Sequence, residues 1–407
     1  MKRFKREIIH TILVIFLLLT NNLPALSQTQ KPDSYLDSVE VSLLTCGPRP
    51  YVYSLYGHTA IRYNDRAHGT DLAVNYGMFS FDKPFFVLRF VFGLTDYEMG
   101  IEYFSDFVSH YAASGCGIRQ QVLNLTNEEK KAIADAIYTN YEPQNRVYRY
   151  NYFYDNCTTR ARDIILSHIK GKVAYHNKID SSRTFRQMIH EYNETHRWAR
   201  FGNDLLLGIK ADQPTTREEQ QFLPEHLAND FAKAEIKGNN NINRPLVTSD
   251  TWVLPRTSDV GNDSFPLSPF ACMLTIALTV VILTVIETLR KSNYWWLDLI
   301  LLLSTGLCGL ILLAMVFSQH PTVSLNLQIL MLNPLSLFAI VPTIKSIRKG
   351  KRNWWIKTWA ACILIFLIGG IFLDYAEGLT FVALSLLLRN ISNIYTFKNT
   401  GSKQPEA

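Results

Sequence analysis

The chain has 407 residues, enough for two domains, with 41 Lys and Arg against 35 Asp and Glu and a net charge of +6. That excess is not a nucleic-acid footprint. Past residue 268 the basic residues cluster in loops between long apolar runs, as membrane topology requires, and no basic patch interleaved with base-stacking aromatics stands out before it.

Residues 1–27 open with a basic stretch, continue with an apolar one and end on Ala25-Leu26-Ser27, a small-x-small cleavage pattern. They read as a secretory signal peptide, with an uncleaved anchor as the alternative; either way the domain that follows, residues 28–268, is exported. Val39 to Cys46 predicts a strand, closed by the turn Gly47-Pro48-Arg49-Pro50. Tyr56 to Tyr63 predicts a second strand, with Gly57 just before His58. Leu72 to Tyr76 predicts its hairpin partner, which brings Asn75 or its neighbour across from His58. Aromatic residues dominate Phe79 to Phe92 and suggest a wide apolar surface or groove.

Thr126 and Glu129 form a capping box, so a helix is expected to about Asn140. An aromatic, strand-like run then ends at Asp155-Asn156. Asn156 is a strong N-cap, and Ala161, Ile164, Ile165 and Ile169 supply an amphipathic pattern, so a helix starts at Cys157. Further helix is expected over about 184–194 and 216–236, interrupted near Pro214 and Pro224. Asn239 to Asn241 and Gly261 to Asp263 punctuate a linker up to Pro269.

Five apolar segments follow, near 270–289, 294–317, 324–344, 354–373 and 379–395. Each approaches the about 20 residues that span hydrocarbon. Arg290 and Lys291 follow the first; Lys345, Arg348, Lys349, Lys351 and Arg352 follow the third; the loops at 318–324 and 374–380 carry no Lys or Arg. This alternation places residues 28–268 outside, the membrane domain at 269–397 and a cytoplasmic tail at 398–407.

Of six cysteines, Cys272, Cys308 and Cys362 lie in apolar runs. Cys46, Cys116 and Cys157 lie in the exported domain, an odd number that leaves at least one free thiol; a Cys46–Cys116 bridge is open in an oxidising compartment. Cys157, in the first turn of a helix, stands where the macrodipole and unpaired N–H groups lower a thiol pKa and hold an oxyanion. A nucleophilic Cys needs a base and an orienting third group, and His58 and Asn75 are the candidates. The bland readings are a buried thiol, a satisfied histidine and a plain hairpin amide. Arg62, Arg160, Arg162 and Asp163 form a polar network or bind phosphate, with structural ion pairing the weightier reading. His320, Asn326 and Asn333 lie near the exterior membrane face, where a headgroup site competes with loop and helix-break roles. No zinc spacing, phosphate loop or paired-carboxylate motif stands out, so neither metal nor cofactor is expected.

A histidine strand ahead of a cysteine helix is the circularly permuted order of a papain-like site. The stretches L-T-C-G-P-R-P-Y-V-Y-S-L-Y-G-H-T-A-I-R-Y, N-Y-G-M-F-S-F-D-K-P and Y-F-Y-D-N-C-T-T-R-A-R-D resemble the exported domain of Lnb-like lipoprotein N-acyltransferases of Bacteroidota, and F-S-Q-H-P-T-V-S-L-N-L-Q-I-L-M-L-N-P-L is similar to a motif of that family's membrane domain. The resemblance implies an α+β fold: a permuted papain-like (NlpC/P60- or LRAT-like) periplasmic domain, then an all-α bundle of five transmembrane helices in the inner membrane. It implies Cys157 and His58 as the catalytic pair, a phospholipid as acyl donor and a diacylated lipoprotein as acceptor. A cell-wall amidase or peptidase of the NlpC/P60 type, and a non-enzymatic membrane assembly factor, are the competing expectations.

Overall fold

The computed structural model describes residues 33–49, 51, 54–79, 84–238, 243–257 and 265–400. The expected signal peptide, the punctuation at 239–241 and 261–263, and the chain end past 400 lie outside them.

Three strands build the centre of the exported domain: β1 (Val39–Cys46), β2 (His58–Asp65) and β3 (Thr70–Met78). Helix α1 (Phe86–Val91), β4 (Asp96–Tyr103), α2 (Phe104–Ala113), β5 (Ile118–Leu123), α3 (Asn127–Tyr141) and β6 (Val147–Arg149) follow. Next come α4 (Cys157–Ser167), β7 (Lys172–Tyr175), α5 (Phe185–His190), α6 (Arg197–Leu206), α7 (Arg217–Gln220) and α8 (Pro224–Ala232), then β8 (Ala234–Lys237), β9 (Asn243–Pro245) and β10 (Val247–Leu254). Seven strands form one sheet in the order β10-β5-β1-β2-β3-β4-β6, every pair antiparallel; β7, β8 and β9 form a second, smaller sheet.

The large sheet is covered on both faces, which is why β1 is buried along nearly its whole length. Leu43, Ile61 and Val74 point to one face and pack with Ile133 of α3, Ile165 of α4 and Phe231 of α8. Leu44, Ala60 and Ala73 point to the other and pack with Phe104, Phe107 and Tyr111 of α2. Register pairs Cys46 with His58 across β1 and β2, and Ala60 with Asn75 across β2 and β3. Strand alternation therefore places His58 and Asn75 on the α2 face.

Several local expectations are corrected. Strand β2 begins at His58 rather than Tyr56, because Gly57 sits at φ +77° in a turn; a Cβ there would lie 2.6 Å from the Cys46 carbonyl oxygen. The aromatic run is not a strand beyond Arg149. The Asn151 side-chain oxygen accepts the amides of Phe153 and Tyr154, and Asn151 and Asp155 exchange backbone hydrogen bonds, which closes a tight loop. The helix expected over 184–194 is only α5, and that over 216–236 splits. Pro224 opens a new helix, and Ala234 and Ile236, alternately buried, turn the end into β8. All six cysteines are free, Cys46 and Cys116 included.

The C-terminal part is helical: α9 (Pro269–Arg290), α10 (Trp295–Val316), a segment broken at Asn333-Pro334 into α11 (Gln328–Met331) and α12 (Leu335–Arg348), then α13 (Trp354–Gly369) and α14 (Leu379–Thr400). Residues 269–290, 295–316 and 328–348 are long and apolar enough to cross a membrane; the apolar parts of the last two helices are shorter. Helix α13 has 16 residues and ends at Gly369-Gly370, not at 373, giving about 24 Å against the about 30 Å of a hydrocarbon core. Arg389 of α14 is buried against Asp298 and Glu287, which ties α14 to α10 and α9.

The two parts share a packed boundary. Tyr56, Phe153, Phe185, Phe222 and Leu223 of the exported domain form one apolar cluster with Met315 and Val323. The loop after α10 is sewn to it by backbone bonds: the Gly208 and Ile209 amides donate to Thr322 and Leu325, and the Gln319 amide donates to Phe92.

Candidate active site

Helix α4 starts where the sequence places it. The Asn156 side chain accepts the amides of Thr158 and Thr159 at 2.9 Å each, and Thr159 returns a bond to the Asn156 amide, so the cap fixes the thiol of Cys157 in the first turn. Thr158 faces β2, its hydroxyl 3.0 Å from that of Thr59. This contact brings the helix end against the start of β2, where Cys157, its Sγ 3.8 Å from the Thr158 hydroxyl, lies beside the His58 ring and the Thr59 amide.

The imidazole is oriented from behind. Its Nε2 lies 2.8 Å from Asn75 Oδ1, and the same Oδ1 accepts the Gly77 amide at 2.9 Å. Because Oδ1 only accepts, Nε2 carries the proton, which leaves Nδ1 for the thiol. Extending the β2–β3 register puts Gly77 opposite His58. A Cβ at Gly77 would stand 2.6 Å from His58 Cε1, so only glycine lets the ring lie flat towards Asn75.

The electrostatics follow from this contact. Burial pushes the Cys157 thiol up, but the His58 charge, the His58 hydrogen bond, the Thr59 amide and Thr158 outweigh it and bring the pKa down to about 7. Burial depresses His58, yet Cys157 and Asn75 leave it raised. Each partner thus favours the other's charged form, which stabilises the thiolate–imidazolium pair. Such a thiol is a nucleophile. The cap also limits the oxyanion donors. Thr158 and Thr159 spend their amides on Asn156, and among the described residues only the Cys157 amide in the first turn lacks an acceptor.

Cys157, His58 and Asn75 line a cleft of about 240 Å³ walled by Tyr56, Phe79, Tyr97, Tyr111, Tyr150 and Phe222. The structure brings these three predicted residues together. It does not bring the other five. Arg62 is held bidentately by Asp71 at 2.8 and 2.7 Å, donates to Gln120 and lies 3.8 Å over the Phe104 ring. Arg160 grips Asp155 with two bonds and covers the Tyr148 ring, in a separate depression with Asn140 and Asp163. His320 packs near Phe90. Asn326 donates to the Leu205 carbonyl, and Asn333 accepts the Leu335 amide at the helix break. These are fold-building roles, and none of the five lines the cleft.

Sequence reasoning missed Gly77, Tyr56 and Arg49, which all line the cleft. The signal for Gly77 was the strand register. Tyr56 lies behind the turn at Gly57, its hydroxyl accepting from Asn203 at 2.6 Å. Arg49 sits in a turn that carried only a loop signal. Among the described residues no group of His, Cys, Asp and Glu has the geometry of a metal site.

Comparison with known proteins gives two family matches. Residues 27–192 match the Lnb N-terminal periplasmic domain, and residues 261–400 match the Lnb transmembrane domain. No curated protein and no solved structure matches the chain. The matches cover both halves in the family's order and include His58, Asn75 and Cys157, and the chain belongs to the Lnb family, as a multi-pass membrane protein with a periplasmic domain.

Proposed function

We propose that this protein is a lipoprotein N-acyltransferase of the inner membrane that works by thiol catalysis. The observation that carries the reading is the place of the Cys157–His58–Asn75 constellation. Its cleft is walled by Tyr56, Phe222 and Leu223, and these pack into the same apolar cluster as Met315 of α10 and Val323 of the loop that follows it. The thiol therefore opens beside the membrane surface. Helix α1 supports this. Phe85 and Leu88 are 80% and 60% exposed, Phe90 lies near His320 of the outer loop, and Phe86 stacks on Phe79 of the cleft wall. Apolar side chains lead from the membrane rim to the thiol.

The reaction has two steps. The Cys157 thiolate attacks an ester carbonyl of a phospholipid, and the Cys157 amide faces the oxyanion that forms. The C–O bond breaks, and the lysophospholipid oxygen leaves with the proton of the His58 imidazolium. In the second step the α-amine of a diacylglyceryl-cysteine lipoprotein attacks the thioester. The C–S bond breaks, the thiolate is restored and His58 takes the amine proton, so ester and amine become amide and alcohol. Asn75 holds the imidazole in the tautomer that both steps use.

A cell-wall amidase could use the same three residues, but it gains nothing from a cleft built into the top of a membrane domain. The test is to incubate purified protein with phospholipid and no acceptor. A hydroxylamine-labile acyl group should accumulate on Cys157 together with lysophospholipid. Absence of both, with cleavage of a wall peptide instead, would reverse the choice.

A further inference from the structure

The cleft contains one cation that the catalytic pair does not use. Arg49 follows β1 and lines the same cavity as His58 and Cys157. Its backbone is pinned: its amide donates to the Ser54 carbonyl at 3.0 Å, and the Ser54 hydroxyl donates to its carbonyl. Its guanidinium lies 4.0 Å over the Tyr111 ring, on the wall near His58. The Arg49 charge acts on His58, which places it within electrostatic reach of the pair.

Its partners are what is unusual. Among the described residues no carboxylate pairs with Arg49, whereas Arg62, Arg119, Arg160, Arg186 and Arg217 are each held by an Asp. Its Nε is buried without an acceptor. The described lining of the cleft contains no Asp, Glu or Lys. A guanidinium with a buried, unpaired Nε and no counter-charge is unfavourable, and fixing it on an aromatic face beside a nucleophile makes sense if the missing acceptor arrives with the substrate. The thiolate–imidazolium pair is neutral as a unit, so the described lining of the cleft carries one unmatched positive charge.

We propose that Arg49 is the binding residue for the phosphodiester of the acyl donor. This rests on the acyl-transfer reading above and adds which part of the donor the cleft grips. A planar guanidinium with free N–H groups suits two phosphate oxygens. The acceptor has no such anion near its reacting end, and its protonated amine is repelled by the same charge. Arg49 thereby favours the phospholipid in the first step and an uncharged amine in the second.

The test uses the full-length protein in detergent with two acyl donors, a phospholipid and the neutral ester p-nitrophenyl butyrate, following acyl-Cys157 by mass spectrometry. Arg49→Ala should lower kcat/KM for the phospholipid tenfold or more, mainly through KM, and leave the neutral ester within twofold. Arg49→Lys should recover part of the phospholipid rate. Glycerophosphoethanolamine should slow the neutral-ester reaction of the unchanged protein but not of Arg49→Ala, and inorganic phosphate at the same concentration should do neither. Equal loss with both donors would make Arg49 an oxyanion or structural group and overturn the proposal. So would no loss with either, or competition by inorganic phosphate as strong as by the glycerophosphodiester. Failure of the unchanged protein to acylate Cys157 from either donor would instead remove the acyl-transfer reading itself.

Discussion

Replacing His58 by Ala should move the pH midpoint of Cys157 alkylation from about 7 to 9 or above. Burial alone raises this thiol, and the His58 charge and hydrogen bond are the largest effects that bring it down. Their removal leaves burial opposed only by Thr59 and Thr158. At pH 7 a thiol of pKa about 7 is about half ionised, and one at the ordinary value of 9.0 is about 1% ionised, a difference of about 50-fold. Thiolate nucleophilicity falls with pKa, by about six- to tenfold over two units, so the net advantage at pH 7 is about five- to eightfold. By the same figures the order reverses near pH 8, and above about pH 8 the unchanged protein should alkylate more slowly than the variant. The assay is the rate of iodoacetamide labelling of the Cys157 peptide, read by mass spectrometry from pH 5 to 11. A midpoint in the unchanged protein at 9 or above, or one that His58→Ala leaves in place, would refute the reasoning.

Gly77→Ala should push the imidazole off Asn75, because its Cβ would enter within 2.6 Å of His58 Cε1. Turnover should fall by about tenfold or more, as for Asn75→Ala, with little change in thermal midpoint; normal turnover would contradict the assigned ring position. Arg62→Ala should do the reverse, lowering stability by about 1 kcal/mol through the lost Asp71 and Gln120 contacts while leaving acylation kinetics unchanged. Reporter fusions after Lys291 and after His320 should report opposite sides of the membrane, as positive-inside ordering requires; the same side for both would sink the topology.

The thiol and its helix were legible in the sequence because the signal is local. Asn156 is a cap wherever it meets a following amphipathic run, and the first turn then holds Cys157 whatever lies around it. The approach of His58 and Asn75 was legible through strand alternation, which needs only one hairpin. Gly77 was not, since its importance appears only when the register sets it against the ring. Arg49 was hidden for another reason: a turn motif says where the chain bends and nothing about which cations lack partners after folding. For the polar residues near the membrane face the sequence left a headgroup site and loop or helix-break roles side by side, because the bonds of Asn326 and Asn333 to backbone groups of Leu205 and Leu335 are contacts that no spacing rule displays. The end of the helix expected over 216–236 failed at Ala234 to Lys237, where pairing with Val173 and Arg244 across two strands overrode local propensity.

The central claim is that Cys157 carries an acyl chain from a phospholipid to the amine of a lipoprotein. Its most direct test is mass spectrometry of lipoprotein N-termini in a strain whose only N-acyltransferase is this protein or its Cys157→Ala variant. The account predicts triacylated N-termini with the unchanged chain, and only diacylated ones with Cys157→Ala present in the membrane at equal level. Triacylated lipoproteins in the Cys157→Ala strain would contradict it.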